Sequence, residues 1–372
     1  MKIGLVSAYD YSFPGGVSVH ISHLARHFLQ KGHTVKVVAP CSQKAGYFDE
    51  EVTAVGRPLP IPYGGSIART PLSPWLPAQT REILRKERFD IVHIHEPFVP
   101  MVALSALLQS NSVTVGTFHA CYEGSRGYWA ARPLLRRWLS RLDGKIAVSK
   151  PAMEFVSRYL PGDYQIIPNG IDIEHFSPKV PPIEGFNDSK LNILFVGRLE
   201  KRKGVDCLLA AYGEVKRQFP DVRLIVVGPG TRLRSKYERL VHKNKLTDVV
   251  FTGFVSASDL PRYYQRADIF CAPASKGESF GIILLEAMAS GKPVVASSIE
   301  GYASLLNDGE EGLLFPVGDV EALAQALLQL LNSKSLRHEM GEKGRNKAEK
   351  YSWASVTQRV LDYYISLLNK AK

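Results

Sequence analysis

A chain of 372 residues, 45% hydrophobic and 22% charged, is too long for one ordinary domain and too apolar for disorder, so two packed domains are expected. The four cysteines, Cys41, Cys121, Cys207 and Cys271, form no CxxC pair and no histidine-flanked cluster, so neither a disulfide framework nor a metal site is expected. A net charge of +11 asks for an anionic partner, whether nucleic acid, anionic lipid or a phosphorylated substrate, without choosing among them.

The opening run from Met1 to Ser7 is too short and too lightly basic for a signal peptide and reads as a buried strand. No stretch reaches the roughly 18 consecutive apolar residues of a membrane-spanning helix, and a reducing, cytoplasmic setting is expected. Helix 17–30 and strand 34–39 follow, then helix 79–86 and strands 91–95, 113–119, 145–149 and 164–167. This alternation builds a parallel sheet with helices on both faces. Periodicity stops over 169–190, where Pro178, Pro181, Pro182 and Gly185 mark a linker. A second series begins with strand 191–196 and continues through 223–227, 249–252, 269–272 and 293–296. The last helix, 353–369, places Val356, Val360, Tyr363, Tyr364, Leu367 and Leu368 at helical spacing and needs a surface to cover them. The fold class is α/β.

Open parallel sheets bind ligands beyond the carboxyl ends of their strands, so the residues just after each strand are the informative ones. Pro14-Gly15-Gly16-Val17 opens a helix after the first strand, where unhindered N–H groups can meet a phosphate. It is not GxGxxG, which speaks against a dinucleotide, and a plain glycine turn is the alternative. Gly197-Arg198-Leu199-Glu200-Lys201-Arg202-Lys203-Gly204 follows the first strand of the second series. Arg198 can fork onto two phosphate oxygens and Lys203 can add a point charge, as a diphosphate leaving group requires. A solvated basic loop is the alternative. The segment from Lys276 to Glu286 runs from a glycine-flanked loop into an apolar helix, with Glu278 in the loop and Glu286 about two turns on. Carboxylates there accept hydrogen bonds from sugar and ribose hydroxyls. Thr117-Phe118-His119 ends a strand of the first series, beside His95-Glu96-Pro97; a lone strand-end histidine is as readily a structural residue.

Taken together, Pro14-Gly15-Gly16-Val17, Thr117-Phe118-His119, Ile167-Pro168-Asn169-Gly170-Ile171-Asp172, Gly197-Arg198-Leu199 with Gly204, and Glu278-Ser279-Phe280-Gly281 with Glu286 resemble the retaining GT-B glycosyltransferases called family 4. The match covers essentially the whole chain. It implies two Rossmann-like doubly wound domains facing across a cleft: an acceptor-side domain over 1–175, with helix 353–372 crossing back onto it, and a nucleotide-sugar-binding domain over 186–352. Within the family the likeness is greatest to bacterial members that move mannose from GDP-mannose to phosphatidylinositol. It rests on the segment from Pro60 through Ile61, Pro62, Tyr63, Gly64, Gly65, Ser66, Ile67 and Ala68 to Arg69, on Val92-His93-Ile94-His95-Glu96-Pro97, and on Cys271-Ala272-Pro273 before Gly277 and Glu278.

What the resemblance implies is a hexosyltransferase, an alpha-mannosyltransferase, with a nucleotide-sugar donor and a lipid acceptor. No cofactor is required, though Mg2+ can assist with the donor diphosphate. By the same resemblance Gly16 places its amide on the donor phosphate, and Arg198 and Lys203 hold the diphosphate. Glu278 holds the donor sugar with the amides of Phe280, Gly281 and Ile282, Glu286 the ribose, and Val255 lies in the stretch meeting the base. His119 contacts the sugar near the reacting carbon, which makes His119, Arg198, Lys203 and Glu278 the catalytic set. Tyr9, Ser18, Tyr63, Ser66 and Arg69 shape the acceptor side. Similar enzymes carry glutamine, threonine and lysine at the positions of Ser18, Ala120 and Gly124, and asparagine at that of Gly64, so this chain departs from them on the acceptor side.

Two segments suit an anionic membrane surface. Segment 128–145 combines Trp129, Leu134, Leu135, Trp138 and Leu139 with Arg132, Arg136, Arg137, Arg141 and Lys145, and segment 81–88 adds Arg81, Arg85, Lys86 and Arg88. A solvated basic face is the alternative. Peripheral attachment to the inner face of the plasma membrane is expected. The rival readings are a family member using a UDP-sugar and another lipid or a soluble acceptor, and a nucleotide-sugar-binding protein without turnover. No aromatic-interleaved RNA motif or helix-turn-helix is present, so no nucleic-acid partner is expected, and a monomer is the expected state.

Overall fold

The computed structural model describes residues 1–13, 15–43, 51–63, 66–121, 124–230 and 233–371. The chain divides into two compact units, Met1–Gly170 with Trp353–Lys372, and Ile171–Ser352.

The first unit runs β1 (Lys2–Ser7), α1 (Gly16–Gln30), β2 (Thr34–Ala39), β3 (Val52–Ala54), β4 (Pro58–Tyr63), β5 (Ser66–Pro71), α2 (Leu76–Glu87), β6 (Ile91–His95), α3 (Val102–Gln109), β7 (Val113–Phe118), α4 (Arg126–Leu139), β8 (Gly144–Ala147), α5 (Lys150–Tyr159) and β9 (Gln165–Ile166). Its parallel sheet has the order β3-β2-β1-β6-β7-β8-β9. Strand order therefore reverses between β1 and β6, the switch point at which doubly wound sheets open a crevice. Strands such as β1 and β6 are buried along their length, the pattern of a sheet covered on both faces. Register sets Ser7 beside His95 and His95 beside Thr117, so the strand ends that carry chemistry are aligned. The hairpin of β4 and β5 stands outside this sheet and pairs Tyr63 with Ser66. Pro58, Pro60 and Pro62 fall at alternate positions of β4, which puts all three missing N–H donors on one edge.

The second unit runs β10 (Leu191–Val196), α6 (Val205–Gln218), β11 (Val222–Val227), α7 (Arg234–Lys243), β12 (Val249–Gly253), α8 (Leu260–Arg266), β13 (Ile269–Ala272), α9 (Ile282–Ala289), β14 (Val294–Ser297), α10 (Glu300–Ala303), β15 (Gly312–Phe315), α11 (Val320–Asn332) and α12 (Lys334–Glu349). Its parallel sheet has the order β12-β11-β10-β13-β14-β15, with the switch point between β10 and β13. Residues 171–190 contain no helix or strand, yet Ile171 and Phe176 are buried in this unit's core with Leu194 and Phe270. The prolines that break periodicity there do not prevent packing, so the segment is not a free linker.

The last helix, α13 (Trp353–Ala371), belongs to the first unit. Trp353, Val356, Val360, Leu361, Tyr364 and Leu367 are buried with Ile3, Leu5, Ile21 and Val115. Tyr363, on the flank of that stripe, accepts the Lys145 N–H at 3.0 Å through its hydroxyl. Helix α4 is capped by Ser125, whose hydroxyl accepts the Tyr128 N–H at 3.2 Å, and ends at Leu139. The basic segment 128–145 is therefore not one helix: Lys145 lies in β8.

Candidate active site

In the first unit the loop after β1 is held from two sides. Asp10 donates its N–H to the Arg69 carbonyl and Tyr11 to the Pro40 carbonyl, each at 2.8 Å. The Arg69 guanidinium lies 4.1 Å from the centre of the Phe13 ring. Arg69 and the segment from part-buried Tyr9 to Phe13 are thus brought together. Gly16 is the first residue of α1, and nothing lies within 4 Å of where a Cβ would stand, which leaves the helix start unobstructed. Ser18, by contrast, is buried and shares its hydroxyl between the Phe13 and Gly15 carbonyls at 3.0 and 3.1 Å. That hydroxyl closes the turn instead of pointing at a ligand. Pro14, Gly64 and Gly65 lie outside the described residues, as do the side chains of Tyr63 and Ser66.

The carboxyl ends of β6 and β7 carry a cluster of imidazoles. His93 is bonded through Nε2 to Thr117 Oγ1 and through Nδ1 to the Tyr364 hydroxyl of α13, both at 2.6 Å. His95 Nδ1 lies 2.9 Å from His119 Nε2, and His20 Nδ1 lies 2.8 Å from Asn169 Oδ1, which gives the Ile-Pro-Asn-Gly motif a structural part. Burial pushes His93 down to about 3, and His20 to about 4 against the opposing Asn169 hydrogen bond. His119 is held well below its usual value by burial first and by His20 and His93 second. All are neutral in the physiological range. Ring nitrogens of His20, His95 and His119 lie within 4.8 Å of one another. The His95–His119 separation is that of a hydrogen bond, while a bound metal would sit about 2.0–2.1 Å from each nitrogen.

Glu96 ties this cluster together. It is 6% exposed and has φ +58°, a left-handed conformation that costs a residue other than glycine about 1–2 kcal/mol. Its Oε1 accepts the N–H groups of His119 at 2.7 Å and Ala120 at 2.9 Å. Burial raises its carboxyl above the usual range while those two amides oppose the rise.

In the second unit the loops after β10 and β13 meet at Glu278. Gly204, at φ +73°, follows a single 3-10 turn, Lys201–Lys203, and a Cβ there would stand 1.8 Å from the Pro273 carbonyl oxygen. A Cβ on Gly301 of α10 would stand 1.9 Å from the Glu278 carbonyl oxygen. Backbone is therefore packed directly against this loop from two sides. Lys203 Nζ lies 2.7 Å from Glu278 Oε1. Arg202, absent from the sequence-based set, also bonds Glu278 and holds Glu200 at 2.9 Å. Arg198 pairs with Glu200 at 3.2 Å and stays 47% exposed. The diphosphate cation and the sugar carboxylate of the sequence reading are thus in direct contact, with Arg202 bridging them to Glu200 and Arg198.

Gly281, at φ +90°, precedes α9 and Ile282 begins it, while the Phe280 ring is buried in the core. Glu286 accepts the Tyr264 hydroxyl at 2.7 Å, and burial pushes its carboxyl up to about 7 against that hydrogen bond. Val255 packs at the edge of the same core, after β12 and beside exposed Phe254.

On α4 the apolar residues separate by face. Leu135 and Leu139 are buried and Trp138 packs against their cluster, while Trp129 and Leu134 are 72% and 47% exposed beside exposed Arg136 and Arg137. Arg132 donates to the Tyr159 carbonyl at 3.1 Å and Arg141 to the Leu108 carbonyl at 3.1 Å. Of the expected membrane set, Trp129, Arg136 and Arg137 are exposed on the surface, while Arg132 is engaged by Tyr159 and Trp138 is a packing residue. Among the described residues no helix is long and apolar enough to cross a membrane.

Residues 14–175 match the family described as Glycosyltransferase Family 4, and residues 177–347 that described as Glycosyl transferases group 1. The chain is 37% identical over 367 residues to the phosphatidyl-myo-inositol mannosyltransferase of Mycobacterium leprae, covering 98% of this chain and 96% of that protein. It is 35% identical to the protein of the same name from Mycolicibacterium smegmatis, covering 98% and 93%. Among solved structures, sucrose-phosphate synthase from Thermosynechococcus elongatus superposes with a TM-score of 0.77 at 21% identity over 99% of each chain. With two doubly wound sheets and charged residues gathered at their strand ends, the chain belongs to glycosyltransferase family 4 and is an enzyme of the GT-B fold that transfers glycosyl groups.

Proposed function

We propose that the enzyme transfers mannose from GDP-mannose to the inositol ring of phosphatidylinositol, with retention of configuration, at an anionic membrane surface on the cytoplasmic side. The observation that supports mannose and the lipid acceptor is identity of 37% over nearly the whole chain to a protein named phosphatidyl-myo-inositol mannosyltransferase; GDP as the donor nucleotide and retention follow from the family resemblance. The chemistry draws on the contact of Lys203 and Arg202 with Glu278. As the bond from the sugar carbon to the diphosphate oxygen breaks, positive charge grows on the ring and negative charge on the departing phosphate. Arg198 and Lys203 stabilise the phosphate, and the Gly16 helix start adds its dipole. The inositol hydroxyl forms the new bond on the face the phosphate leaves, and its proton passes to a phosphate oxygen, so no protein nucleophile is needed. Glu278 holds the sugar, His119 contacts it near the reacting carbon, and Glu286 receives the ribose hydroxyls. Arg69 and Tyr9 serve the acceptor.

No cofactor is required; Mg2+, where it assists, would supply charge neutralisation to the donor diphosphate. Glu200 and Glu278, the carboxylates of this loop cluster, are both in ion pairs with Arg or Lys, so neither is an uncommitted ligand. The protein acts as a monomer, docked through the exposed face of α4 and the arginines of α2, where Arg81, Arg85 and Arg88 line a cavity of about 610 Å³.

The test is transfer of labelled mannose from GDP-mannose to phosphatidylinositol in mixed vesicles, with UDP-glucose and diacylglycerol run alongside. Mannosylated inositol lipid is expected, and Lys203→Ala should lower kcat by about 10²- to 10³-fold. Transfer only from UDP-glucose, or only to another acceptor, would overturn the substrate pair. A Lys203→Ala enzyme of undiminished rate would remove that residue from the mechanism.

A further inference from the structure

The cluster at the ends of β6 and β7 contains one buried residue, Glu96, whose side chain does more than the closing of its turn requires. Glu96 keeps a carboxylate out of water and a backbone in the left-handed region, where asparagine or glycine would make the same turn with less strain. Its own N–H donates to the Thr117 carbonyl at 2.9 Å and its carbonyl accepts the Val99 N–H at 3.1 Å, so the backbone alone closes the turn. The side chain does something else. One oxygen takes two successive amides, those of His119 and Ala120, and so fixes the first two residues beyond β7. The His119 ring is held separately by His95, whose Nε2 is buried with no hydrogen-bond partner among the described residues. Backbone and ring of His119 are thus set by the two neighbours Glu96 and His95, which leave β6 together. Such double restraint at strained, buried positions is characteristic of groups that must be held in place for chemistry.

We propose that Glu96 is a positioning residue for the transfer step: its carboxylate holds the His119 backbone so that this residue meets the transferred sugar in reactive alignment. The proposal rests on the reading above that His119 contacts the sugar near the reacting carbon. Misplacement of a reacting contact by about 1 Å costs on the order of 10²-fold in rate. Loss of the carboxylate should therefore appear in kcat, with donor KM little changed.

The experiment compares Glu96→Ala, Glu96→Gly, Glu96→Gln and His119→Ala, measuring kcat and donor KM in the vesicle assay and the melting temperature of each. Glu96→Ala is expected to lose about 10- to 10²-fold in kcat, while Glu96→Gln, which keeps an acceptor oxygen, stays within about threefold of wild type. Glu96→Gly relaxes the left-handed backbone, so it should melt above the alanine variant and still be as slow. That separation of stability from rate is what a purely structural role would not give. A glycine variant of wild-type kcat, or a glutamine variant as slow as alanine, overturns the proposal. If His119→Ala is slow while Glu96→Ala and Glu96→Gly are fast, the positioning role alone fails. If His119→Ala is as fast as wild type, the reading of His119 fails, and this proposal with it.

Discussion

Glu286 is a carboxyl whose burial carries a cost in the folded protein. Its carboxyl is pushed up to about 7 from an ordinary 4.5, so the folded state prefers the protonated form. The sign follows: the protonated form stabilises the fold at low pH, and that stabilisation is lost as pH rises from about 4.5 through 7. At about 1.4 kcal/mol per pKa unit, the charged form at pH 8 costs roughly 3 kcal/mol. Ribose hydroxyls that donate to it would favour the charged form, so donor binding near pH 7 should release protons. Glu286→Gln is expected to melt higher than wild type at pH 8, to match it at pH 4.5, and to bind donor nucleotide more weakly at pH 8. Calorimetry in buffers of different ionisation enthalpy, with melting curves at both pH values, checks this; equal melting at pH 8 would refute it. The positions of Glu286, Lys203 and Glu278 were legible in the sequence because each follows a recognisable strand. Their partners were not. Tyr264 reaches Glu286 and Arg202 reaches Glu278, and in the first unit Glu96 reaches the His119 amide, across loops whose convergence depends on the sheet register.

At the scale of elements, α4 is a helix with two unlike faces. Leu135, Trp138 and Leu139 close the core of the first unit, and Trp129, Leu134, Arg136 and Arg137 face outward. Each basic residue near an anionic surface contributes about 1 kcal/mol. Arg136→Gln with Arg137→Gln should therefore weaken binding to anionic vesicles by about 30-fold at low salt while leaving the melting temperature unchanged. Leu135→Ala should instead destabilise the fold by about 2–5 kcal/mol. Sedimentation with vesicles and thermal melts separate the two, and undiminished vesicle binding by the double variant would remove α4 from the membrane surface. Composition showed the amphipathic character of this segment but not its end. Arg141 and Lys145 continue the basic pattern, yet Ser140 to Asp143 turn the chain into β8. Strands β1, β6, β10 and β13 had the bounds the sequence suggested, because strands buried on both faces read as largely apolar runs bounded by polar turns. The hairpin of β4 and β5 was missed because three prolines in six residues argue against a strand unless its edge is free.

For the molecule as a whole, the boundary between units is crossed by the chain twice, since α13 completes the core of the first unit after the entire second unit. Ending the chain at Ser352 removes six buried residues of the hydrophobic core, Trp353, Val356, Val360, Leu361, Tyr364 and Leu367. At about 1.5–3 kcal/mol for each buried apolar side chain, the loss is comparable to the roughly 5–15 kcal/mol by which whole domains are stable. The shortened chain should lose amide protection in β1 and β6 by hydrogen exchange while β10 and β13 keep theirs. Retained protection throughout would show that the helix is dispensable. The same helix supplies the Tyr364 hydroxyl bonded to His93, so its removal also unseats the histidine cluster.

That arrangement has a consequence for biosynthesis. During translation the strands of the first unit emerge early, but the surface formed by Ile3, Leu5, Ile21 and Val115 has no cover until α13 leaves the ribosome. Tyr364, which bonds His93, is thus made only after the whole of the second unit. A nascent chain can gather its second unit while its first unit is still open, and the first unit closes only after α13 has been made.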